Sequence, residues 1–303
     1  MNKINLEPEV RCNHYIDSNV KKLWSVQLDL LEQLKRICEK YNIKYFASGG
    51  TLLGAVRHKG YIPWDDDIDV FMMADDYEKF CEVAAGELSG CYYFQRLKTM
   101  SRIRNSNTTA LTEGDLNYLK VDTNHNCGVF IDIFPLHNVY DNRILRMGQK
   151  LIAHIFKRIE SGSKKSALLR SSPREYWKYN FSKAVLLWKI FCLFYEPSQK
   201  MAVYQSMLKM CKKSSFVGMV SFMGINDKYI WAKEWFSETI EMPFENTTII
   251  CPKEYDMVLK QQYGDYMVFK KGGAIHTMVV FDAEVPYKDK LKDIKSIEHL
   301  GNL

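Results

Sequence analysis

From Val20 to Tyr41 the chain reads VKKLWSVQLDLLEQLKRICEKY, with Leu23, Val26, Leu30, Leu34 and Ile37 recurring every three or four residues and charges between them. That period lays the apolar side chains along one stripe and predicts a long amphipathic helix. IKYFASGG then reads as a strand ending in a glycine turn, and TLLGAVRHKG as a short helix stopped by Gly60. DIDVFMM predicts the next strand, and Asp75 with Glu78 is expected to cap the helix DYEKFCEVAAGEL. CYYFQRLKTM and SRIRNSNTTAL read as strands of one sheet, and GVFIDIFPL, from Gly128, as a further strand stopped by Pro135. This alternation argues for an α+β fold, a mixed sheet flanked by helices.

After residue 140 the character changes. RILRMGQKLIAHIFKRIESGSKK and REYWKYNFSKAVLLWKIFCLFY read as helices rich in bases and aromatics, separated by a Ser/Lys/Pro linker. In the first of them Arg143, Arg146, Lys150, Lys157 and Arg158 stand beside Ile144, Leu145, Leu151, Ile155 and Phe156. Such a face can lie on an anionic membrane or pack on the rest of the protein. The expected organisation is a catalytic core over 1–140, a helical acceptor-side or membrane-proximal region over 141–240, and a C-terminal segment over 241–303 that packs back on the core.

With 303 residues and 47% hydrophobic content, the chain can bury the core of one large or two modest domains. Forty-two basic against thirty-six acidic residues give a net charge of +6, which suits anionic ligands or surfaces. The bases are spread along the chain, which argues against a nucleic-acid partner. Eight cysteines form no C-x-x-C pair and no cysteine–histidine cluster of zinc spacing, the pattern of a reduced, cytoplasmic protein. The N-terminal stretch lacks the apolar core of a signal peptide. The longest apolar run, AVLLWKIFCLFY from Ala184, is too short for a membrane span and carries Lys189. The expected location is cytoplasmic, with peripheral contact to the inner membrane face.

The chemistry concentrates in ASGGTLLGAVRHKGYIPWDDDIDVFMM, residues 47–73. In an extended strand Asp67 and Asp69 share a face, and two carboxylates so close repel unless a divalent cation lies between them. Oxygen ligands suit Mg²⁺ or Mn²⁺; the alternative is a solvated acidic turn. Asp65 shares that face if the strand begins early, while Asp66 is expected to point away. Gly49 and Gly50 sit at a strand-to-helix turn, where backbone amides can hold a phosphate. Asp132 is a lone acid in the apolar strand VFIDIF, and it is either a third metal ligand or half of a buried salt bridge.

A glycine turn, a strand with paired aspartates and a third aspartate on a later strand together resemble the nucleotidyltransferase superfamily. The string GGTLLGAVRHKGYIPWDDDID is similar to the LicD family, which includes phosphocholine transferases of bacterial surface glycans and relatives of the fukutin-related proteins. LWSVQLDLLEQL, RIRNSNT, GVFIDIFPL and CPKEYDMVLKQQYGDYM extend the resemblance. Two features depart from it: sixteen residues separate Gly50 from Asp67, a long spacing, and a single His276 stands where the family tends to carry a histidine pair.

The resemblance implies transfer of a phospho-alcohol from a CDP-linked donor, CDP-choline first, to a sugar hydroxyl of a glycan or its lipid-linked precursor, with release of CMP. Asp67 and Asp69 would bridge the metals, with Asp65 assisting, and Asp132 would hold the acceptor-side metal and take the hydroxyl proton. Gly49, Gly50 and Thr51 would cradle the diphosphate, with Arg57, His58 and Lys59 close in sequence. Arg102 and Arg104, two apart, would bind phosphate oxygens or form buried salt bridges. Tyr61 and Trp64 would pack on cytosine or a quaternary ammonium, or in the core. CDP-ribitol or CDP-glycerol as donor, transfer of NMP to a small molecule, and a non-catalytic scaffold remain as alternatives at this point.

Overall fold

The computed structural model describes residues 4–97, 99–112, 115, 119, 125–171, 183–196, 199–220, 227–270 and 278–296. They group into two units, residues 1–135 with 237–303, and residues 136–236.

The first unit opens with a hairpin of β1 (Glu9–Arg11) and β2 (His14–Ile16). Helix α1 (Ser18–Tyr41) follows, started by Asp17, whose carboxylate accepts the Val20 amide at 2.9 Å. A cap of this type contributes about 1 kcal/mol. The helix ends at Asn42 in the left-handed region (φ 50°), where its N–H closes on the Cys38 and Glu39 carbonyls. Its apolar stripe is buried along its whole length, from Leu23 and Trp24 through Leu30, Leu31 and Leu34 to Ile37, so truncating one of these leucines should cost about 2–5 kcal/mol.

Next come β3 (Phe46–Ala47), α2 (Gly49–His58), β4 (Asp69–Met73), α3 (Ala74–Glu87), β5 (Tyr92–Arg96), β6 (Ser101–Asn105), β7 (Thr109–Thr112) and β8 (Val129–Val139). Within this unit the mixed sheet runs β5-β6-β8-β4-β3, with Arg102 opposite Asp132 in the β6–β8 register and Ala47 opposite Val70 between β3 and β4. The α+β expectation therefore holds.

Three local expectations change. Helix α3 has Met73 at its N-cap with no side-chain cap; Asp75 and Asp76 instead lie in its first turn, where they favour the helix dipole, and Glu78 binds Arg96. Pro135 does not stop β8. Pairing with β6 ends at Ile133, and pairing with β9 begins at His137, so the missing proline N–H falls between two ladders. The linker expected after Lys165 begins later than the sequence suggests, because the helix begun at Arg143 continues to Ser171; the rest of it lies outside the described residues.

In the second unit the end of β8 pairs with β9 (Phe216–Gly218), which pairs with β10 (Ile230–Ala232), followed by a short 3-10 helix at Lys233–Phe236. Helices α4 (Arg143–Ser171), α5 (Lys183–Phe194) and α6 (Lys200–Leu208) complete it, with Ala153, Met207, Leu208, Val220 and Ile230 in one cluster and Ile159, Trp188 and Phe191 in another. The expected helix from Arg174 is described only from Lys183 onward; residues 172–182 lie outside the described set.

The chain then returns to the first unit with the hairpin of β11 (Thr239–Phe244) and β12 (Thr247–Pro252), helix α7 (Tyr255–Tyr263), strand β13 (Met278–Asp282), which pairs with β7, and helix α8 (Tyr287–Ser296). Among the described residues no helix is long and apolar enough to cross a membrane. All eight cysteines are free thiols.

Candidate functional site

Strand β4 begins only at Asp69, so Asp65, Asp66 and Asp67 lie on the approach to it rather than in a pleated strand. The alternation that would turn Asp66 away does not operate there, and the ligand oxygens of Asp65, Asp66 and Asp67 gather within 4.8 Å of one another. Helix α1 fixes this loop by its backbone. Trp24 Nε1 donates to the Asp65 carbonyl at 3.0 Å and Gln27 Nε2 to the Asp66 carbonyl at 2.8 Å, from positions three apart on one helix face. Tyr61, stacked on Trp24 at 4.5 Å, donates its hydroxyl to Gln27 Oε1 at 3.1 Å. Tyr61 is therefore core and not a ligand wall. Sequence reading passed over Gln27; a glutamine on the apolar face of LWSVQLDLL was the available signal.

The glycine turn comes against the same acids. Ser48 donates its N–H to the Asp69 carbonyl at 3.0 Å, Asp69 donates its own N–H to Thr51 Oγ1 at 2.8 Å, and helix α2 starts between them. Gly49 has φ +53°, a conformation that disfavours a side chain, and a Cβ on Gly50 would run into Asp65 Oδ2. Both glycines thus bring bare backbone onto the carboxylates. Thr51 is buried with its oxygen accepting from the strand, so its first role is to lock α2 to β4. From the C-terminal segment, a Cβ on Gly49 would lie 3.8 Å from the Tyr263 hydroxyl and 4.0 Å from Gln262 Nε2, side chains at the end of α7.

Asp132 enters from β8, which donates the Asp132 N–H to the Ile68 carbonyl at 2.8 Å. Its carboxylate accepts Arg102 Nε at 2.6 Å and Nη2 at 3.2 Å. The salt bridge foreseen as an alternative is therefore present. A carboxylate offers about four lone-pair sites, and the arginine fork takes two of them. Arg102 also lies 3.7 Å over the Phe130 ring.

Burial raises the Asp65 carboxyl to about 8, with the charges of Asp67 and Asp66 adding to the effect. Asp69 is pushed well above the usual carboxylate range, first by burial and then by Asp67, Asp132 and Asp65. Asp69 Oδ1 is buried with no hydrogen-bond partner among the described residues. An all-oxygen donor set with an orphaned buried oxygen and mutual repulsion suits a hard divalent cation.

The other basic candidates separate from this centre. Arg57, His58 and Lys59 lie at the far end of α2, roughly 13 Å along the helix from the glycines at 1.5 Å per residue. Arg57 donates to the Tyr266 carbonyl at 2.8 Å and lies 4.4 Å over Phe269. Burial, then Arg57 and Arg11, lower His58 to about 4, and Lys59 is the exposed left-handed cap. Closeness in sequence misled here because the intervening helix carries them away. Arg104 is fully buried and donates to Gln95 Oε1, the Gly128 carbonyl and Asp115 Oδ1 at 2.6, 2.8 and 2.7 Å. Its guanidinium belongs to the interior and is out of reach of a phosphate. Trp64 is half-buried, edge-on to His14 at 5.9 Å and to Phe269 at 6.4 Å. His276 lies outside the described residues.

A second group of metal-ligating type, Asp115, His125 and Cys127, is buried beneath Arg104. Here the groups already serve one another. Asp115 Oδ1 takes Arg104 Nη2 and His125 Nε2 at 2.7 Å each, Oδ2 takes the Thr112 hydroxyl at 2.7 Å, and His125 Nδ1 meets Gln95 Nε2 at 3.0 Å. Burial first, with Asp115 next, raises the Cys127 thiol to about 12. Beside the first cluster, by contrast, Asp69 Oδ1 has no hydrogen-bond partner among the described residues.

A family model described as LicD/FKTN/FKRP, nucleotidyltransferase domain, matches residues 42–160. The chain is 32% identical over 248 residues to the lipopolysaccharide cholinephosphotransferase LicD of Haemophilus influenzae, covering 80% of this chain and 89% of that protein. It is 29% identical over 101 residues to the ribitol 5-phosphate transferase FKRP of Mus musculus, covering 33% of this chain and 18% of that one. An uncharacterized Rickettsia typhi protein, RT0683, is 46% identical over 54 residues, 18% of each chain.

Proposed function

This chain belongs to the LicD family and is an enzyme of that phosphotransferase type, and from that premise we propose that it moves phosphocholine from CDP-choline to a sugar hydroxyl of a surface glycan or its lipid-linked precursor. The observation that carries the reading is the gathering of the Asp65, Asp66 and Asp67 carboxylates, with Asp65 and Asp69 against the Gly49–Gly50 turn, Asp69 Oδ1 left without a hydrogen-bond partner among the described residues, and the charge of Asp132 acting on Asp69. The relative matched over most of both chains is named for cholinephosphate transfer, which supports choline as the alcohol.

In the reaction the acceptor oxygen forms a bond to the phosphorus that bears choline, the bond from that phosphorus to the bridging oxygen breaks, and its electron pair leaves with CMP. Asp67, Asp69 and Asp65 would hold Mg²⁺ or Mn²⁺, which neutralises charge on the diphosphate when bound. The Gly49 and Gly50 amides at the start of α2 would hold phosphate oxygens, because Ser48 does not cap them with its side chain. Asp132 would take the hydroxyl proton, and Arg102 fixes the direction in which its carboxylate points. We place the enzyme on the cytoplasmic side, where CDP-alcohols are made available to it. The test is CMP release from CDP-choline, CDP-ribitol and CDP-glycerol in turn with Mg²⁺, the product being analysed for phosphocholine on the acceptor. Transfer of CMP to the acceptor instead would replace this reading with nucleotidyl transfer.

A further inference from the structure

We infer that the second unit carries a bilayer-docking face made by α4 and α5, and that its partner is an anionic lipid surface. Each helix buries one stripe within its unit, Gln149, Ala153 and Ile159 from α4 and Ala184, Val185, Trp188 and Phe191 from α5. On the other side α5 presents Leu186, Ile190, Leu193 and Phe194 at spacing i, i+4, i+7 and i+8, with Leu193 78% and Phe194 75% exposed. Helix α4 likewise exposes Ile144, Met147, Leu151 and Ile152. A helix apolar on both faces calls for an apolar medium on its outer side. The 12 described residues of α5 span about 18 Å, against a bilayer core of roughly 30 Å, a length suited to lying on a membrane surface.

The charges select lipid among the possible occupants. Helices α4 and α5 carry a single acid, Glu160, and Arg143, Lys157, Lys183 and Lys189 are exposed along them. Three other bases of α4 have partners inside the unit: Lys150 pairs with Asp227, Arg146 lies 4.3 Å over Phe216, and Arg158 reaches His154 at 3.0 Å. Pairing with a second copy through the same face would set bases against bases. An anionic headgroup layer above a hydrocarbon layer matches both the basic and the apolar side chains.

The test uses full-length protein sedimented with vesicles of phosphatidylglycerol and phosphatidylcholine, or of phosphatidylcholine alone, at low and high salt. Vesicle binding is read without turnover, so it stands apart from the reaction assigned above. The expected result is binding to the anionic vesicles that weakens as salt rises. Arg143→Gln with Lys157→Gln should weaken it roughly tenfold or more. Leu186→Ser, Leu193→Ser and Phe194→Ser together should abolish it, with thermal melts at or above the wild-type temperature because all three side chains are exposed. Absence of binding at low salt, or full binding by the serine variant, would overturn the inference. So would a dimer seen by light scattering that the serine variant loses, since a second copy would then be the occupant.

Discussion

Arg102 holds Asp132 by two parallel contacts, Nε to Oδ1 at 2.6 Å and Nη2 to Oδ2 at 3.2 Å, directly across the β6–β8 ladder. The pair is buried, so it serves stability and the site together. Arg102→Ala should cost about 3–5 kcal/mol by taking the guanidinium fork away from the buried Asp132 carboxylate. Arg102→Lys keeps the charge but loses the fork, so it should melt nearer the wild type and still lose turnover, because the carboxylate is no longer held in one direction. Equal turnover in Arg102→Lys and wild type would remove the positioning role.

The acid cluster should make stability depend on pH and metal together. With its folded value raised to about 8, Asp65 contributes stability that is full below its unfolded value, near 3.9, and lost as pH rises through about 8. Asp69 shifts in the same direction. In EDTA the melting temperature should therefore fall across that window, more steeply than in an Asp65→Asn, Asp69→Asn double variant. Added Mg²⁺ should raise it more at pH 8 than at pH 5, measured by thermal unfolding, because a bound cation favours the ionised carboxylates.

The two glycines should fail in different ways. Gly49→Ala forces a side chain into φ +53° and should cost about 1–2 kcal/mol of stability. Gly50→Ala puts a methyl group against Asp65 Oδ2, at the far end of a side chain that can swing away. It should melt within a few degrees of wild type yet lose turnover tenfold or more, as read by parallel melting and CMP-release measurements.

Much of this site was legible in the residues themselves. The apolar stripe of VKKLWSVQLDLLEQL, the glycine turn and the isolated acid in VFIDIF each follow from local rules, and helix, turn and strand stand where those rules put them. What failed was judgement across distance. Arg57, His58 and Lys59 follow the glycines closely in sequence, but a helix carries them to its other end. Arg104 alternates with Arg102 on β6, but its charge is met by Asp115, eleven residues further along the chain. Gln27 does not stand out in the sequence, and Tyr263 in QQYGDYM reads there as a helix end with donor contact the lesser alternative, because only the packing of α1 and α7 brings them to Asp66 and Gly49.

Tyr263 gives a direct check on that contribution. Its hydroxyl stands 3.8 Å from where a Gly49 side chain would begin, within reach of a phosphate held at the turn. Tyr263→Phe should raise the KM for the CDP-linked donor about three- to tenfold, the worth of one hydrogen bond, with kcat and melting temperature little changed. Unaltered steady-state kinetics would return Tyr263 to packing alone.

The most direct measurement of the central claim is CMP release from CDP-choline by purified protein with Mg²⁺ and a sugar acceptor, set beside Asp67→Asn and Asp69→Asn variants shown by melting to be folded. The expected result is turnover by the wild type that EDTA abolishes, lowered roughly a thousandfold or more in each variant. Release at the wild-type rate in either folded variant, or undiminished release in EDTA, would contradict the assignment of these carboxylates to the reaction.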